Sequence, residues 1–244
     1  MIRILSLYPE LLDLNGDSQN ALVLAQRARW AGCDVAVEAV ELGATPEPGD
    51  PSIVVIGSGS EASLGPVLEG LRFIESSLAG WIAAGVPVLA VGTGWELLSH
   101  GIELPDGGRL DGLAVFSGSS VPSQRVTDDI VVDTTVGRLV GFENHARQYR
   151  AAAGAVALGS VAYGVGNSTL EAVALEGEIA GSAIGTHLHG PVLAKNPALA
   201  DHLLTIATGG RYSPLNPHAE RADRSAQFAR DAILNRLGLS AAAS

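Results

Sequence analysis

The sequence is poor in cysteine, with Cys33 as the only one in 244 residues. A single thiol excludes an internal disulfide and any zinc site built from several cysteines. We expect no metal centre and no bound cofactor. Cys33 directly follows Gly32 at the end of a predicted helix, a position that indicates an apolar core or helix-end residue.

Basic residues are also scarce: 15 Lys and Arg stand against 26 Asp and Glu, and the formal net charge is −11. A nucleic-acid surface requires clustered Lys and Arg, so we expect no nucleic-acid partner. Two uncharged stretches, 78–95 and 151–170, are interrupted by glycines, which indicates buried sheet rather than membrane spans. The apolar start of the chain ends at Pro9 before a signal-peptide core forms, and we expect a cytoplasmic protein without membrane insertion.

The first hundred residues alternate between β-branched apolar runs and helix-forming segments. Such alternation predicts right-handed βαβ units and therefore a parallel sheet. We predict an α/β fold with a doubly wound, mostly parallel sheet and helices on both faces. The predicted strands are Ile2–Tyr8, Asp34–Val40, Ser52–Ile56 and Pro87–Val91. Residues 17–20 are interpreted as capping residues of a helix that runs through Ala31, and Glu61–Ala84 is predicted to be mostly helical.

The pattern changes after Gly101, where short strands are separated by turn signals and suggest an antiparallel extension. They are 113–115, 130–132, 139–142, 155–162 and 171–175, followed by a strand end at 183–186 and a helix at 196–207. We assign residues 1–210 to one domain and 211–244 to a tail with a terminal helix near Ala219–Leu237. One face of that helix is apolar, which favours docking on its own domain and leaves partner contact as the alternative.

The segment from Val88 to Leu98 resembles a nucleophile elbow, because an apolar strand meets a glycine-flanked turn and continues as a helix. Such a turn holds a Ser or Cys exposed at the carboxyl end of a parallel strand. Here the position of the nucleophile is occupied by Gly92. The sequence therefore contains the geometry of a hydrolytic site without its reacting side chain.

Further motifs occur in a fixed order around this elbow: Asp13–Ala21, Gly57–Ser60, Gly141–His145, Tyr163–Asn167 and Gly185–Pro197. Over about residues 1–205 the chain resembles the class I glutamine amidotransferases of the CobB/CobQ (cobyric-acid-synthase) type. It is more closely similar to the GatD-type glutaminase subunits of lipid II isoglutaminyl synthase. In that family the subunit hydrolyses glutamine, and a Mur-ligase-like (MurT-type) partner uses the ammonia to amidate D-glutamate of the peptidoglycan precursor.

The resemblance implies roles for several residues of this chain. His189 matches the catalytic histidine, and the backbone of Gly57-Ser58-Gly59 matches the loop that supplies the oxyanion donor, with Ser58 in place of a glycine. Arg125 matches an arginine of the glutamine site. His187 lies two residues before His189 in an alternating segment, so we expect its side chain to face the other way and to serve packing.

The chain departs from the family at several positions. Gly92 aligns with the nucleophilic cysteine, and Thr93, the nearest hydroxyl, is one position away from the elbow and β-branched. Ala146-Arg147-Gln148 follow the second motif where the family usually has two glycines and an arginine. Thr93, Trp95 and Glu96 also differ from the family motif, which favours natural divergence over an engineered inactive variant.

Three functions remain open from the sequence. The first is an amidotransferase-like subunit of a peptidoglycan-modifying ligase that has lost glutamine hydrolysis. The second is an active glutaminase with an unrecognised nucleophile, and the third is a non-catalytic module that binds glutamine. If only the nucleophile is lost, Gly92→Cys is expected to restore some hydrolysis.

Overall fold

A computed structural model describes residues 1–170, 173–214 and 216–240. Its strands are β1 (Ile2–Leu7), β2 (Val35–Val40), β3 (Ile53–Ile56), β4 (Val88–Val91), β5 (Gly101–Glu103), β6 (Arg109–Asp111), β7 (Ser119–Thr134), β8 (Gly137–Arg150), β9 (Gly159–Tyr163), β10 (Ser168–Leu170), β11 (Val173–Glu176), β12 (Glu178–Ala180) and β13 (Ala183–Thr186). Its α-helices are α1 (Gln19–Trp30), α2 (Leu64–Phe73), α3 (Glu75–Ala83), α4 (Thr93–Leu98), α5 (Val192–Lys195), α6 (Pro197–Ala207) and α7 (Pro217–Arg236).

The central sheet has six strands in the order β12-β13-β4-β3-β1-β2. All of its pairings are parallel except the one between β12 and β13. Every residue of β3, β4 and β13 is buried, as expected of short apolar strands covered on both faces. The predicted doubly wound α/β fold is confirmed.

Alternate side chains of this sheet enter two separate cores because successive strand residues point to opposite faces. On one face Ile4, Ile53 and Leu89 pack with residues of α1, α5 and α6. On the other face Leu5, Val54 and Val88 pack with residues of α2, α3 and α4. The carboxyl ends of β3, β4 and β13 therefore meet at one edge, between the two helix layers.

The predicted antiparallel extension is a second sheet with the strand order β10-β11-β9-β7-β5-β6, and β8 pairs with β7. The predicted strands 130–132 and 139–142 lie inside the long hairpin of β7 and β8, and the strand predicted at 155–162 begins only at Gly159. Of the strand predicted at 171–175, residues 171 and 172 lie outside the described residues. No described helix is long and apolar enough to cross a membrane.

One local prediction was wrong. Residues 113–115 do not form a strand, because their backbone N–H groups bond to the last carbonyls of α4: Leu113 to Leu97 O at 3.1 Å and Val115 to Leu98 O at 2.8 Å. The error arises because the chain satisfies its backbone groups there with tertiary contacts. The stretch 61–84, predicted to be mostly helical, is a 3₁₀ turn followed by α2 and α3, which are separated at Ile74, whose ψ is 10°.

Helix α7 docks on the rest of the chain. Leu234 is 2% exposed and packs against Val131 and Val140 of the second sheet. Asp223 forms an ion pair with Arg27 of α1 at 2.5 Å. The domain boundary at residue 210 stays a prediction, but α7 packs against the residues that precede this boundary.

Leu234→Ala is expected to lower the free energy of unfolding by about 2–3 kcal/mol, because it removes a buried side chain and leaves a cavity. The matched control is Phe228→Ala on the same helix, where the side chain is 79% exposed. That control is expected to change stability by less than about 0.5 kcal/mol. Urea unfolding of both variants measures the difference; equal effects would show that α7 is not docked in solution.

Candidate active site

The turn after β4 keeps the backbone of a nucleophile elbow. Gly92 has φ 54° and ψ −120°, a conformation that side-chain-bearing residues adopt only under strain. Its N–H donates to Thr186 O at 2.8 Å, and the N–H of Gly94 donates to Gly57 O at 3.0 Å. The elbow is thereby held between the ends of β13 and β3.

The two other predicted parts of the site lie directly beside this turn. A Cβ atom built on Gly92 would be 2.8 Å from the Cβ of Ser58. It would be 3.0 Å from Cε1 and 3.6 Å from Nε2 of His189. Residues 58, 92 and 189 thus converge on one point, because the sheet order places the carboxyl ends of β3, β4 and β13 side by side.

His189 is oriented by a carboxylate that the sequence did not single out as a site residue. Its Nδ1 lies 2.9 Å from Oδ2 of Asp17, and both side chains are buried. A proton on Nδ1 that donates to this carboxylate leaves the lone pair of Nε2 facing the elbow. Asp17 was interpreted only as a helix-capping residue, although it belongs to the motif 13–21.

The Gly57–Ser60 loop is pressed against residues 11 and 12. A Cβ on Gly57 would lie 2.1 Å from Leu12 O, and one on Gly59 would lie 2.5 Å from Leu11 O, so both positions require glycine. Within the described part of the chain, the backbone N–H groups of Ser58, Gly59 and Thr93 have no acceptor. They are available to a ligand oxygen, as an oxyanion site requires.

These groups line a cavity of about 390 Å³. Arg125 also lines it, at the irregularity of β7 between Pro122 and Val126, and donates to Asn144 Oδ1 at 2.7 Å. The Thr93 hydroxyl donates to Gly59 O at 3.0 Å and is therefore engaged by the loop. Six of the predicted site positions line this cavity: Ser58, Gly59, Gly92, Thr93, Arg125 and His189. Gly57 does not line it, but its carbonyl accepts from the N–H of Gly94 in the elbow.

A buried ion pair forms one wall of the cavity. Glu96 is 2% exposed and accepts from Nε and Nη2 of Arg147, the latter at 2.6 Å. Arg147 also contacts Glu61, whose side chain is 63% exposed. Burial by itself raises the pKa of Glu96, but the His187 ring, whose Nε2 lies 3.7 Å from Oε1, and the hydrogen-bonded Arg147 outweigh it and lower the pKa to about 2.

The expected orientation of His187 was wrong, because it lines the same cavity as His189. The alternation rule does not apply there, since β13 ends at Thr186. The packing role is present: the ring lies 4.6 Å from that of His145 and 4.9 Å from that of Trp95. Burial lowers the pKa of His187 to about 4, so the ring is neutral at pH 7.

The motifs 141–145 and 163–167 form one structural unit under the cavity. Glu143 accepts from the backbone N–H of Val165 at 2.6 Å and of Gly166 at 3.1 Å, and contacts Nε2 of His145 at 3.2 Å. A carboxylate that accepts backbone N–H groups fixes a loop strongly. These residues position His145 and the cavity wall.

Glu176 lies fully buried behind this unit. It accepts from Thr186 Oγ1 at 2.6 Å and from the N–H of His187 at 2.7 Å, and its other oxygen bonds to the amide of Asn167. Burial raises the pKa of Glu176 to about 7, against the opposing effect of these donors. The folded chain therefore retains a proton that the unfolded chain releases above about 4.5.

Glu176→Gln is expected to fold and to remove a pH dependence of stability. A raised pKa contributes stability that is fully present below about 4.5 and is lost as the pH rises through about 7. The natural chain is expected to lose about 2 kcal/mol between pH 5 and pH 8 through this group, and the variant is not. Urea unfolding at a series of pH values measures both; parallel curves would contradict the buried proton.

The fold and this site together define the class of protein. Solved structures with the same fold include PurLQS from Thermotoga maritima, at TM-score 0.57 and 13% identity over 86% of this chain and 96% of that chain. The glutaminase domain of Trypanosoma brucei CTPS with bound acivicin matches at TM-score 0.53 and 10% identity, over 87% of this chain and 96% of that one. At these identities the likeness concerns the fold alone, a class I glutamine amidotransferase fold.

Residues 3–197 match the CobB/CobQ-like glutamine amidotransferase domain, and the chain belongs to this family. It is similar to the lipid II isoglutaminyl synthase (glutamine-hydrolyzing) subunit GatD of Staphylococcus aureus, at 34% identity over 84% of each chain. The GatD subunit of Streptococcus pneumoniae is 29% identical over 86% of this chain and 82% of the relative. The predicted family resemblance is confirmed.

Proposed function

We propose that this chain is the amidotransferase-like subunit of a ligase complex that amidates the D-glutamate of lipid II, and that it does not hydrolyse glutamine. The observation that carries the proposal is Gly92 at the centre of an otherwise assembled site. Hydrolysis of an amide on this fold needs a thiolate to attack the side-chain carbonyl. Here the histidine, the orienting carboxylate and the backbone donors surround a position without a nucleophile.

No other thiol substitutes for the missing one. Cys33 precedes β2, at the edge of the sheet where the parallel strands begin, and it lies near Met1 and Ile2. Gly92 lies at the opposite edge, where the strands end. The separation follows from the topology, since a strand's two ends lie at opposite edges of a parallel sheet.

The proposal is tested by the amine source of the assembled complex. The chain is combined with its Mur-ligase-like partner, and lipid II is supplied with ATP and either glutamine or ammonium chloride. Amidated product is expected with ammonium and not with glutamine, measured by mass spectrometry. The Staphylococcus aureus complex, whose GatD is named glutamine-hydrolyzing, is the control that must use glutamine. Product from glutamine alone would overturn the proposal.

His189→Ala is expected to leave the complex with the Mur-ligase-like partner intact. His189 is 1% exposed, so its side chain does not reach a partner docked on the surface of this conformation. Analytical size exclusion of the mixed subunits measures the association. If a folded His189→Ala chain no longer binds, the residue contributes to the interface and the partner reaches into the cavity.

A second candidate function is glutamine binding without turnover. The cavity retains backbone N–H groups that donate to none of the described residues, and Arg125, which is exposed, has further donors beyond its bond to Asn144. A ligand that binds only the folded chain raises its Tm. An increase with millimolar glutamine, absent in Arg125→Ala, would favour this candidate.

A further inference from the structure

The space that a side chain at position 92 needs is occupied by Ser58. Non-bonded carbon atoms are most stable about 3.5–4.0 Å apart. A Cβ on Gly92 would lie 2.8 Å from the Cβ of Ser58 and 3.0 Å from Cε1 of His189. Any side chain at position 92 would therefore be too close to both Ser58 and His189.

Burial and hydrogen bonds hold Ser58 in this position. It is 3% exposed, and its hydroxyl donates to Oδ2 of Asp17 and accepts from Nδ2 of Asn15 at 3.1 Å. Asp17 is itself fully buried. Moving Ser58 away breaks a hydrogen bond to a buried carboxylate, which is among the stronger contacts in a protein.

The same hydroxyl also affects the histidine. Oδ2 of Asp17 accepts from Ser58 and lies 2.9 Å from Nδ1 of His189, whereas Oδ1 has no partner in the described part of the chain. Two donors therefore share the one oxygen that orients the imidazole. The hydrogen bond from Ser58 stabilises the charged form of the carboxylate, so the shared oxygen is a weaker acceptor for a proton on Nδ1 of His189.

We propose that Ser58 locks the site in its inactive form, by filling the space of the nucleophile and by sharing the carboxylate that orients His189. The inference rests on the proposed function and amends one expectation from the sequence. Gly92→Cys alone does not rebuild a working site, because the new Cβ meets the Cβ of Ser58. Reactivation requires Ser58→Gly together with Gly92→Cys.

A stability cycle tests the steric part of the lock without any chemistry. Gly92→Ala is expected to lower Tm by roughly 4–10 °C in the natural background, from backbone strain and overpacking together. In the Ser58→Gly background the drop is expected to be at most half as large, since the strain at φ 54° remains and the contact is gone. Ser58→Ala keeps the Cβ and is expected to give no relief. Equal drops in all three backgrounds would overturn the proposal.

Thiol reactivity tests the chemical part, in a Cys33→Ser background that removes the natural thiol. Gly92→Cys is compared alone, with Ser58→Ala and with Ser58→Gly, by the rate of alkylation with iodoacetamide near neutral pH. A thiolate paired with an oriented histidine reacts faster, so the combination with Ser58→Gly is expected to react about tenfold faster than Gly92→Cys alone. Equal rates in all three variants would overturn the lock.

Glutamate release by the same variants separates this proposal from the proposed function. Release by the natural chain would overturn the proposed function, whereas the stability cycle and the alkylation rates judge the lock independently. Glutamate release by the combined variant, but not by Gly92→Cys alone, supports both the proposed function and the lock by Ser58. Release by Gly92→Cys alone, as fast as by the combined variant, overturns the lock and leaves the proposed function standing.

Discussion

Glutamate release from glutamine by the natural chain, bound to the Mur-ligase-like partner proposed above, is expected to be about 10⁶-fold slower than release by the Staphylococcus aureus relative. Removing the nucleophile of a hydrolytic site has an effect of this order, equivalent to about 8 kcal/mol of transition-state stabilisation. His189 and the backbone N–H groups near Gly92 do not compensate, because each acts on a bond that the nucleophile must first form. A coupled glutamate assay with both complexes at equal concentration measures the ratio.

A rate of glutamate release within about 10³-fold of the relative's rate would contradict this expectation, because catalysis by the remaining groups without a nucleophile is slower than that. The two candidates for an unrecognised nucleophile are then separated by substitution. Thr93→Val removes the hydroxyl that donates to Gly59 O, and Cys33→Ser removes the only thiol. Loss of activity in one of them would identify the reacting group.

Glu96→Ala is expected to lower the free energy of unfolding by about 3–5 kcal/mol, which corresponds to roughly 10 °C in Tm. The substitution leaves the Arg147 guanidinium, whose side chain is 13% exposed, without its buried partner. Removing one member of a buried ion pair is strongly destabilising because the other charge stays out of water. Urea unfolding at neutral pH measures the loss.

Glu61→Ala is the matched control, since Glu61 pairs with the same arginine but is 63% exposed. An ion pair at the surface contributes less than about 1 kcal/mol. If both variants lose the same free energy of unfolding, Glu96 and Arg147 do not form the buried ion pair described here.

The acid side of the stability curve provides a second check on Glu96. Its pKa in the folded chain is about 2, below the ordinary 4.5, so its contribution is fully present above about 4.5 and is lost as the pH falls toward 2. Glu96→Ala is expected to flatten this acid limb. Glu176 acts in the opposite direction at higher pH, which allows the two groups to be measured separately.

The sheet and the elbow could be predicted from the sequence because both depend on local patterns. Apolar runs of four to six residues between helix formers indicate buried parallel strands, and Gly92 within Val91–Gly94 indicates the sharp turn. Irregular segments were harder to predict from the sequence. Residues 113–115 have strand-like composition, but their N–H groups cap α4, a contact that no local pattern reveals.

The candidate site was predicted in part, through motifs that resemble a family. His189, the Gly57–Ser60 loop and Arg125 were assigned from that resemblance, and the structure places them around one cavity. Asp17 was missed as the partner of His189 because the two are 172 positions apart. His187 was misplaced because a strand pattern was extended past the end of β13.

The sequence by itself determined the fold class, which depends on local periodicity. Through motifs that resemble a family, it also predicted Gly92 at the position of the nucleophile and His189 as the histidine of the site. Only the tertiary structure decided that Ser58 crowds the position of a side chain at residue 92, that Asp17 lies against the histidine and that Arg147 pairs with Glu96 in the wall of the cavity. The physical reason is the strand order of the central sheet. It brings the ends of β3, β4 and β13 together, and contacts of a few ångströms between such distant positions have no counterpart in the linear chain.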